Sequence, residues 1–251
     1  MMRAAIFTIV LLVAPALTLV PWVESLDRKL LDLQFGFLRA YAPRAAGNDV
    51  VIVGIDDETA RVVREPLTLW HPHLGKFLQA AAKSGAAAVG LDIILPDRSF
   101  DAVVPGYDRQ LLAGILVARR TTPLVLALTV DPSGATRPIY PAFLAAAGQD
   151  AIGYAVLPVD DDGVVRRLDD RIEVSGSSVP TLAGQMAARL GREVRHGFID
   201  YAAGKAFDYV PLHSVLAWYD AVIREDSKTR SAGRPFFWVA FSGSKTGSRC
   251  R

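Results

Sequence analysis

Apolar and polar positions divide the chain into stretches with different periods. Ala4 to Val23 is twenty residues without a charge, rich in Ile, Leu and Val and closed by Trp22. That is about the length a helix needs to cross a bilayer core, with an aromatic residue at headgroup level. Residues 1–23 are therefore expected to form a transmembrane helix or signal anchor, kinked at Pro15. Ala14-Pro15-Ala16 also fits the small-residue cleavage pattern of a signal peptide. Arg3 ahead of the run, with Glu24 and Asp27 behind it, favours an amino terminus in the cytoplasm and a translocated remainder. From Glu24 to Arg39 the pattern changes: Leu26, Leu30, Leu31, Leu33, Phe35, Phe37 and Leu38 interleave with Asp27, Arg28, Lys29, Asp32 and Arg39, which predicts an amphipathic helix. Pro43, Gly47 and Asn48 end it.

The next stretch, Asp49 to Asp57, is an apolar run that ends in two adjacent carboxylates. Five of its six residues from Val50 to Ile55 are β-branched and nothing alternates, which suits a strand buried on both faces of a largely parallel sheet. Glu58 to Trp70 shows no period and is broken by Pro66. Pro72 then opens a helix with Leu74, Phe77, Leu78, Ala81 and Ala82 on one face and Gly85 as its carboxyl cap. Ala88 to Leu95 repeats the first strand's pattern and brings Asp92 into the same layer. Strand, helix and strand within fifty residues is the signature of a parallel βαβ unit.

Further on, a helix is expected at Tyr107–Arg120 with Leu111, Leu112, Ile115 and Leu116 inward. A strand follows at Leu124–Val130, a short helix at Pro141–Ala147 and a strand at Ala151–Val159. Asp160-Asp161-Asp162-Gly163 reads as a hairpin turn, with Val164–Val174 as the returning strand. A helix at Pro180–Leu190, a short strand at Phe198–Tyr201 and a helix at Leu212–Ala221 complete the pattern. The fold class is α/β: a largely parallel sheet flanked by helices, with an added β-hairpin, preceded by one transmembrane helix. Residues 24–235 form the main domain.

The net charge of +2 conceals an asymmetry. Residues 224–251 hold seven Lys/Arg against two Asp/Glu, so the basic character belongs to the tail. Without a basic stripe on the body, nucleic acid is not an expected partner. The single cysteine, Cys250, excludes an internal disulfide and a cysteine-based zinc site. Residues 236–251 are expected to be an aberrant basic tail. Its apolar beginning, Phe236–Phe241, gives way to a Ser, Gly, Lys and Arg string, as a frameshifted remnant would, with a sheet-edge strand lost.

Candidate chemistry concentrates at the strand ends. Asp56, Asp57 and Asp92 could hold a hard cation through oxygen ligands, which would suit a periplasmic metal-dependent enzyme. The plainer alternative has Asp56 and Asp57 capping loop donors or pairing with Arg61 or Arg64. The run at 160–162 is not an EF-hand, since the twelfth position is Arg171. His71 and His73 flank Pro72 in a geometry that could chelate a metal given a third ligand, although surface or capping roles fit better. There is no Gly-x-Ser-x-Gly elbow and no Gly-rich phosphate loop, so catalysis is not expected, and neither is a cofactor.

One ordered series is specific as a set: Leu31-Asp32-Leu33-Gln34-Phe35, Val50 to Asp57, the helix entry from Trp70 to Leu78, Gly90 to Leu95, and Asp162-Gly163-Val164-Val165-Arg166-Arg167. Over residues 24 to about 235 the chain resembles the CHASE2 domain, an extracytoplasmic sensor of bacterial membrane signalling proteins. The resemblance implies a membrane helix, a sensor outside the cytoplasm, and an adenylate or guanylate cyclase, histidine kinase or similar output, which this chain is expected to lack. In the family further membrane helices follow the sensor; this chain is expected to be a single-pass protein of the inner (cytoplasmic) membrane whose partner is a small molecule or a periplasmic protein, and a homodimer is compatible with that. The family's Trp-Pro-Trp-Pro-Arg-like turn reads Leu69-Trp70-His71-Pro72-His73 here. With no family ligand to carry over, the ligand-binding candidates are Asp56, Asp57, Asp92, Trp70 and His71.

Overall fold

The computed structural model describes residues 21–44, 50–194, 196–203, 208–226 and 239–242. Residues 1–20, which carry most of the expected membrane helix, lie outside them, as does Cys250. Among the described residues no helix is long and apolar enough to cross a membrane. The chain divides into two compact units.

The smaller unit holds helix α1, Pro21–Tyr41, together with a short segment from Asp200. Its amphipathic pattern reads as expected. Phe35 meets Tyr201 edge to face at 6.1 Å, Arg39 donates to the Tyr201 carbonyl at 2.9 Å, and Arg44 pairs with Asp200 at 3.0 Å.

In the larger unit, six strands form one parallel sheet in the order β4-β3-β2-β10-β1-β9. These are β1 Val51–Gly54, β2 Val89–Asp92, β3 Leu124–Leu128, β4 Ile152–Tyr154, β9 Asp208–Pro211 and β10 Val239–Ser242. Strands β1 to β4 march in one direction, β9 returns to the opposite edge, and β10 enters between β1 and β2. There it aligns Ala240 with Ile52 on one side and with Gly90 on the other.

One face of the sheet is covered by α3 His71–Ser84, α4 Tyr107–Thr121, α5 Pro141–Ala147 and α7 Leu212–Asp226. Phe77, Leu78, Val89, Leu91, Leu111, Ile115, Leu126 and Phe143 meet there, all fully buried. The opposite face takes α6, Leu182–Arg189. Gly90 is in register with Val125, and Ala127 with Gly153, so these small residues share that face and let the helix close on it. A Cβ on Gly153 would lie 2.8 Å from the Leu182 backbone.

Both ends of α3 carry the expected residues, Pro72 in the first turn and Gly85 as the carboxyl cap. Gly85 ends α3 at φ +74°, a left-handed conformation that glycine adopts without strain. Pro141 opens α5, whose bounds match the sequence reading.

The structure corrects the sequence reading at several points. Asp57–Val62 is helical, α2, and Leu67–Leu69 is a 3-10 turn, where an irregular stretch was expected; a side-chain cap from Asp56 starts the helix. On α4 the inward stripe is Leu111, Gly114, Ile115 and Ala118, the i, i+3, i+4, i+7 set, while Leu116 is 44% exposed. The expected inward face favoured leucines over the small residues that permit close packing.

The hairpin is displaced as well. It joins β6, Arg171–Val174, to β7, Ser177–Pro180, while β5, Arg167–Leu168, pairs with β8, Gly197–Phe198. The 160–163 turn does form, with Gly163 at φ +81°. However, β4 pairs parallel with β3 instead of with the returning chain, and Arg166 anchors the turn. That side chain is buried and reaches Asp160 at 2.8 Å and Asp162 at 2.8 and 2.7 Å. Strand β9 was not foreseen. Nor is the strand near Phe236–Phe241 lost from an edge: Val239–Ser242 lies at the centre of the sheet.

Candidate functional site

In a parallel sheet whose strand order reverses, ligands approach the carboxyl ends of the strands. A cavity of roughly 610 Å³ lies there, lined by Ile55, Asp92, Thr129 and Ala155 at the ends of β1, β2, β3 and β4. Its volume falls in the range of small-molecule sites. Phe100, Arg137 and His71 complete the parts of the wall that bear on its chemistry.

His71 is the first residue of α3 and is 2% exposed. Its Nδ1 lies 2.9 Å from Asp108 Oδ1, on the first turn of α4. The other carboxylate oxygen, Oδ2, accepts from Ser99 Oγ at 2.6 Å and from the Phe100 N–H at 3.2 Å. Asp101 Oδ1 in turn accepts from the Asp108 N–H at 2.9 Å and so caps α4 from the preceding loop.

With Asp108 accepting on both oxygens, the proton between it and His71 belongs to Nδ1, and Nε2 carries the lone pair. The rings of Phe100 and Phe143 stand edge to face with the imidazole at 5.4 Å. Every fully buried side-chain nitrogen or oxygen among the described residues has a partner, and none is found for Nε2. Nε2 is therefore not wholly buried. Burial holds His71 below the ordinary histidine range, with the Asp108 hydrogen bond working against it.

Asp92 ends β2 and also lines the cavity, and burial pushes its carboxyl up. No hydrogen bond or ion pair reaches it from the described residues. Arg137 is exposed at the mouth. Its charge lowers the neighbouring Asp97 and Asp131 only as a minor influence, since Asp97 is held first by Arg98 and Asp131 by Ser133.

The other candidates lie elsewhere. Asp56 caps α2, accepting from the Thr59 N–H at 2.7 Å; hydrogen bonds from Thr59 lower its carboxyl. Thr59, itself buried, bonds His213 Nδ1 at 3.0 Å and so ties α2 to α7. Asp57 is exposed in the first turn of α2, and Arg61 pairs with Glu58. Trp70 is buried and donates Nε1–H to the Glu65 carbonyl at 2.6 Å, outside the cavity wall.

Asp56 and Asp57 were expected to share adjacent strand ends with Asp92. Strand β10 lies between β1 and β2, which puts their ends two strand spacings, about 10 Å, apart. Among the described residues no three His, Cys, Asp or Glu side chains gather to hold a metal ion. His71 and His73 turn to different partners, Asp108 and Glu65. Sequence reasoning selected Asp92 and His71 but missed Asp108, Ser99 and Arg137. A polar residue on the first turn of α4 and a polar loop before it were the visible signals.

A second cavity, roughly 200 Å³, lies between β1, β9, α3 and α7 and is lined by apolar groups such as Val53, Phe77, Val210 and Trp218. Compared with known proteins, the chain matches the CHASE2 domain family over residues 6–234. No curated protein and no solved structure matches it.

Proposed function

We propose that this chain, which belongs to the CHASE2 domain family, is a membrane-anchored receptor that takes its ligand into the cavity at the carboxyl ends of β1–β4. The family supplies the general role, an extracytoplasmic sensor domain in signal transduction. The observation that carries the reading to this cavity is its position: it opens where the strand order reverses, and a buried imidazole and a carboxylate with no partner among the described residues line it. Occupancy would draw together α3, α4 and the 129–137 loop, and that change would be passed to a cyclase or kinase output. The uncharged run Ala4–Val23 supports anchoring and, with Arg3 ahead of it, an extracytoplasmic domain.

A reporter fused at residue 220 tests the topology: it should be active outside the cytoplasm only, and cytoplasmic activity would refute the reading. The alternative, a metal-dependent enzyme built on Asp56, Asp57 and Asp92, loses its basis because the three do not converge.

A further inference from the structure

The smaller of the two cavities, roughly 200 Å³ between β1, β9, α3 and α7, has no part in the reading above. Its floor is made by Val53, Phe77, Ala80 and Ala81, each at most 2% exposed, while half-buried Trp218 and exposed Ser214 of α7 belong to its rim. The space exists because small side chains face it from both helices: Ala80, Ala81 and Ser84 on α3, Ser214 and Val215 on α7. The same two helices are tied by Lys76 to Asp220 at 3.0 Å and by the Tyr219 hydroxyl, which donates to Gln79 at 2.6 Å. Those ties resist collapse of the gap, and a cavity that does not collapse is costly to leave unfilled.

The lining is almost entirely carbon. Among the described residues its hydroxyls are those of Ser84 and Ser214, and the Ser84 hydroxyl already donates to the Ala81 carbonyl at 2.8 Å. A buried water needs about two to four polar partners, so this lining holds water poorly. An apolar cavity of about 150 Å³ takes up benzene. One of roughly 200 Å³ has room for a ring with a short substituent, two fused rings or a short alkyl chain. A charged molecule is a poor fit, since no charged side chain stands in the described part of the wall and burial of an unpaired charge is costly.

We propose that this cavity binds a small uncharged apolar molecule, of one or two aromatic rings or a short alkyl chain, with any polar group turned to the rim at Ser214. The inference goes beyond the reading of the larger cavity and does not depend on it. A molecule in this space joins α3 to α7 through dispersion contacts that the unfilled cavity lacks, and it stabilises the folded chain by mass action.

The test is calorimetry and thermal shift on the full purified chain with toluene and 1-hexanol, each beside its carboxylate counterpart, benzoate and hexanoate, and with indole as the two-ring probe. At least one neutral probe should raise the melting temperature, and the carboxylates should not. Toluene or 1-hexanol, where bound, should change the tryptophan fluorescence, and Trp218→Phe should remove that change while calorimetry still registers binding. Ala81→Leu, which fills the floor of the cavity, should weaken binding tenfold or more. Ser214→Phe should do the same from an exposed position that leaves the core untouched, which covers the case in which Ala81→Leu does not fold. Asp92→Asn, in the larger cavity, should bind as the parent does.

Carboxylates that bind as tightly as the neutral probes overturn the proposal. So does full affinity in Ser214→Phe or in a folded Ala81→Leu, or lost affinity in Asp92→Asn, since each places the binding elsewhere. Failure of all three neutral probes to bind also overturns it, marking the space as a packing void only, and leaves the reading of the larger cavity standing.

Discussion

The crossing of α3 and α4 offers a perturbation whose cost can be worked out from the coordinates. Gly75 and Gly114 face each other where the helices meet, and a Cβ added to Gly114 would lie 2.5 Å from the Gly75 carbonyl oxygen and 2.6 Å from its Cα. Carbon atoms pack at about 3.5–4.0 Å, so Gly114→Ala has to push the helices apart by about 1 Å. A gap of that size forfeits a quarter to a half of each dispersion contact across it. The contacts at stake belong to Phe77, Leu78, Leu111 and Ile115, all fully buried. Overpacking of this kind costs about 1–3 kcal/mol, more where backbone must move, against which alanine returns up to about 1 kcal/mol of helix propensity. A net loss of about 2 kcal/mol is expected. Urea unfolding followed by tryptophan fluorescence, to which buried Trp70 contributes, should show the midpoint falling by about 1 M at an unchanged slope. Gly75→Ala, whose Cβ would run into the Gln110 carbonyl, should behave alike, and the double variant should lose less than the sum because one separation relieves both clashes. A neutral or stabilised Gly114→Ala, or strictly additive losses, would show that the helices do not meet at these glycines.

Three other expectations follow from the same coordinates. Burial raises the folded-state Asp92 carboxyl above its unfolded value, so its favourable contribution is complete below about pH 3.8 and lost as pH rises through the folded value. Asp92→Asn should therefore melt higher than the parent near neutral pH and equally below about pH 3.8; a lower neutral melting temperature would refute the assignment of burial as the dominant influence on Asp92. His71 shifts the other way: its folded value is depressed, so stability is retained above about pH 6.5 and declines as pH falls towards the folded value. His71→Asn, whose amide can stand in for Nδ1–H, should lose less melting temperature than the parent between about pH 7.5 and about pH 5.5. Arg166→Ala should destabilise by about 3 kcal/mol in chemical denaturation, since it removes a buried guanidinium held by two aspartates; an effect below about 1 kcal/mol would mean the ion pairs are solvent-screened.

The elements easiest to read in the sequence were those whose signal is local. The run Val50–Ile55, the stripe Leu74–Phe77–Leu78–Ala81 and the Pro141 start each carry their period or cap within a few residues, and the structure keeps them. Position within the sheet is not local. Nothing in Val51–Gly54 or Val89–Asp92 records that β10 comes between them, and the separation of Asp56 from Asp92 follows from that insertion. The site was half legible for a similar reason. Asp92 stands out at the end of an apolar strand and His71 at a helix start, whereas Asp108 looks like any first-turn acid. Its role depends on α3 and α4 meeting at two glycines, a tertiary fact that no single-chain pattern encodes.

The placement of β10 also governs the order in which the sheet can be built. As the chain emerges, β1 is complete long before its neighbour exists, and Ile52 waits for Ala240. Until then β1 and β2 each present an open row of N–H and C=O groups to whatever strand arrives first. Pairing over so long a sequence separation is slow to nucleate, which prolongs the interval in which the half-built sheet can join a second chain. The sheet closes at its middle, so its two halves become one cooperative body only when the last strand enters. Up to that moment the edges most open to a wrong partner lie at the middle of the sheet and not at its rim.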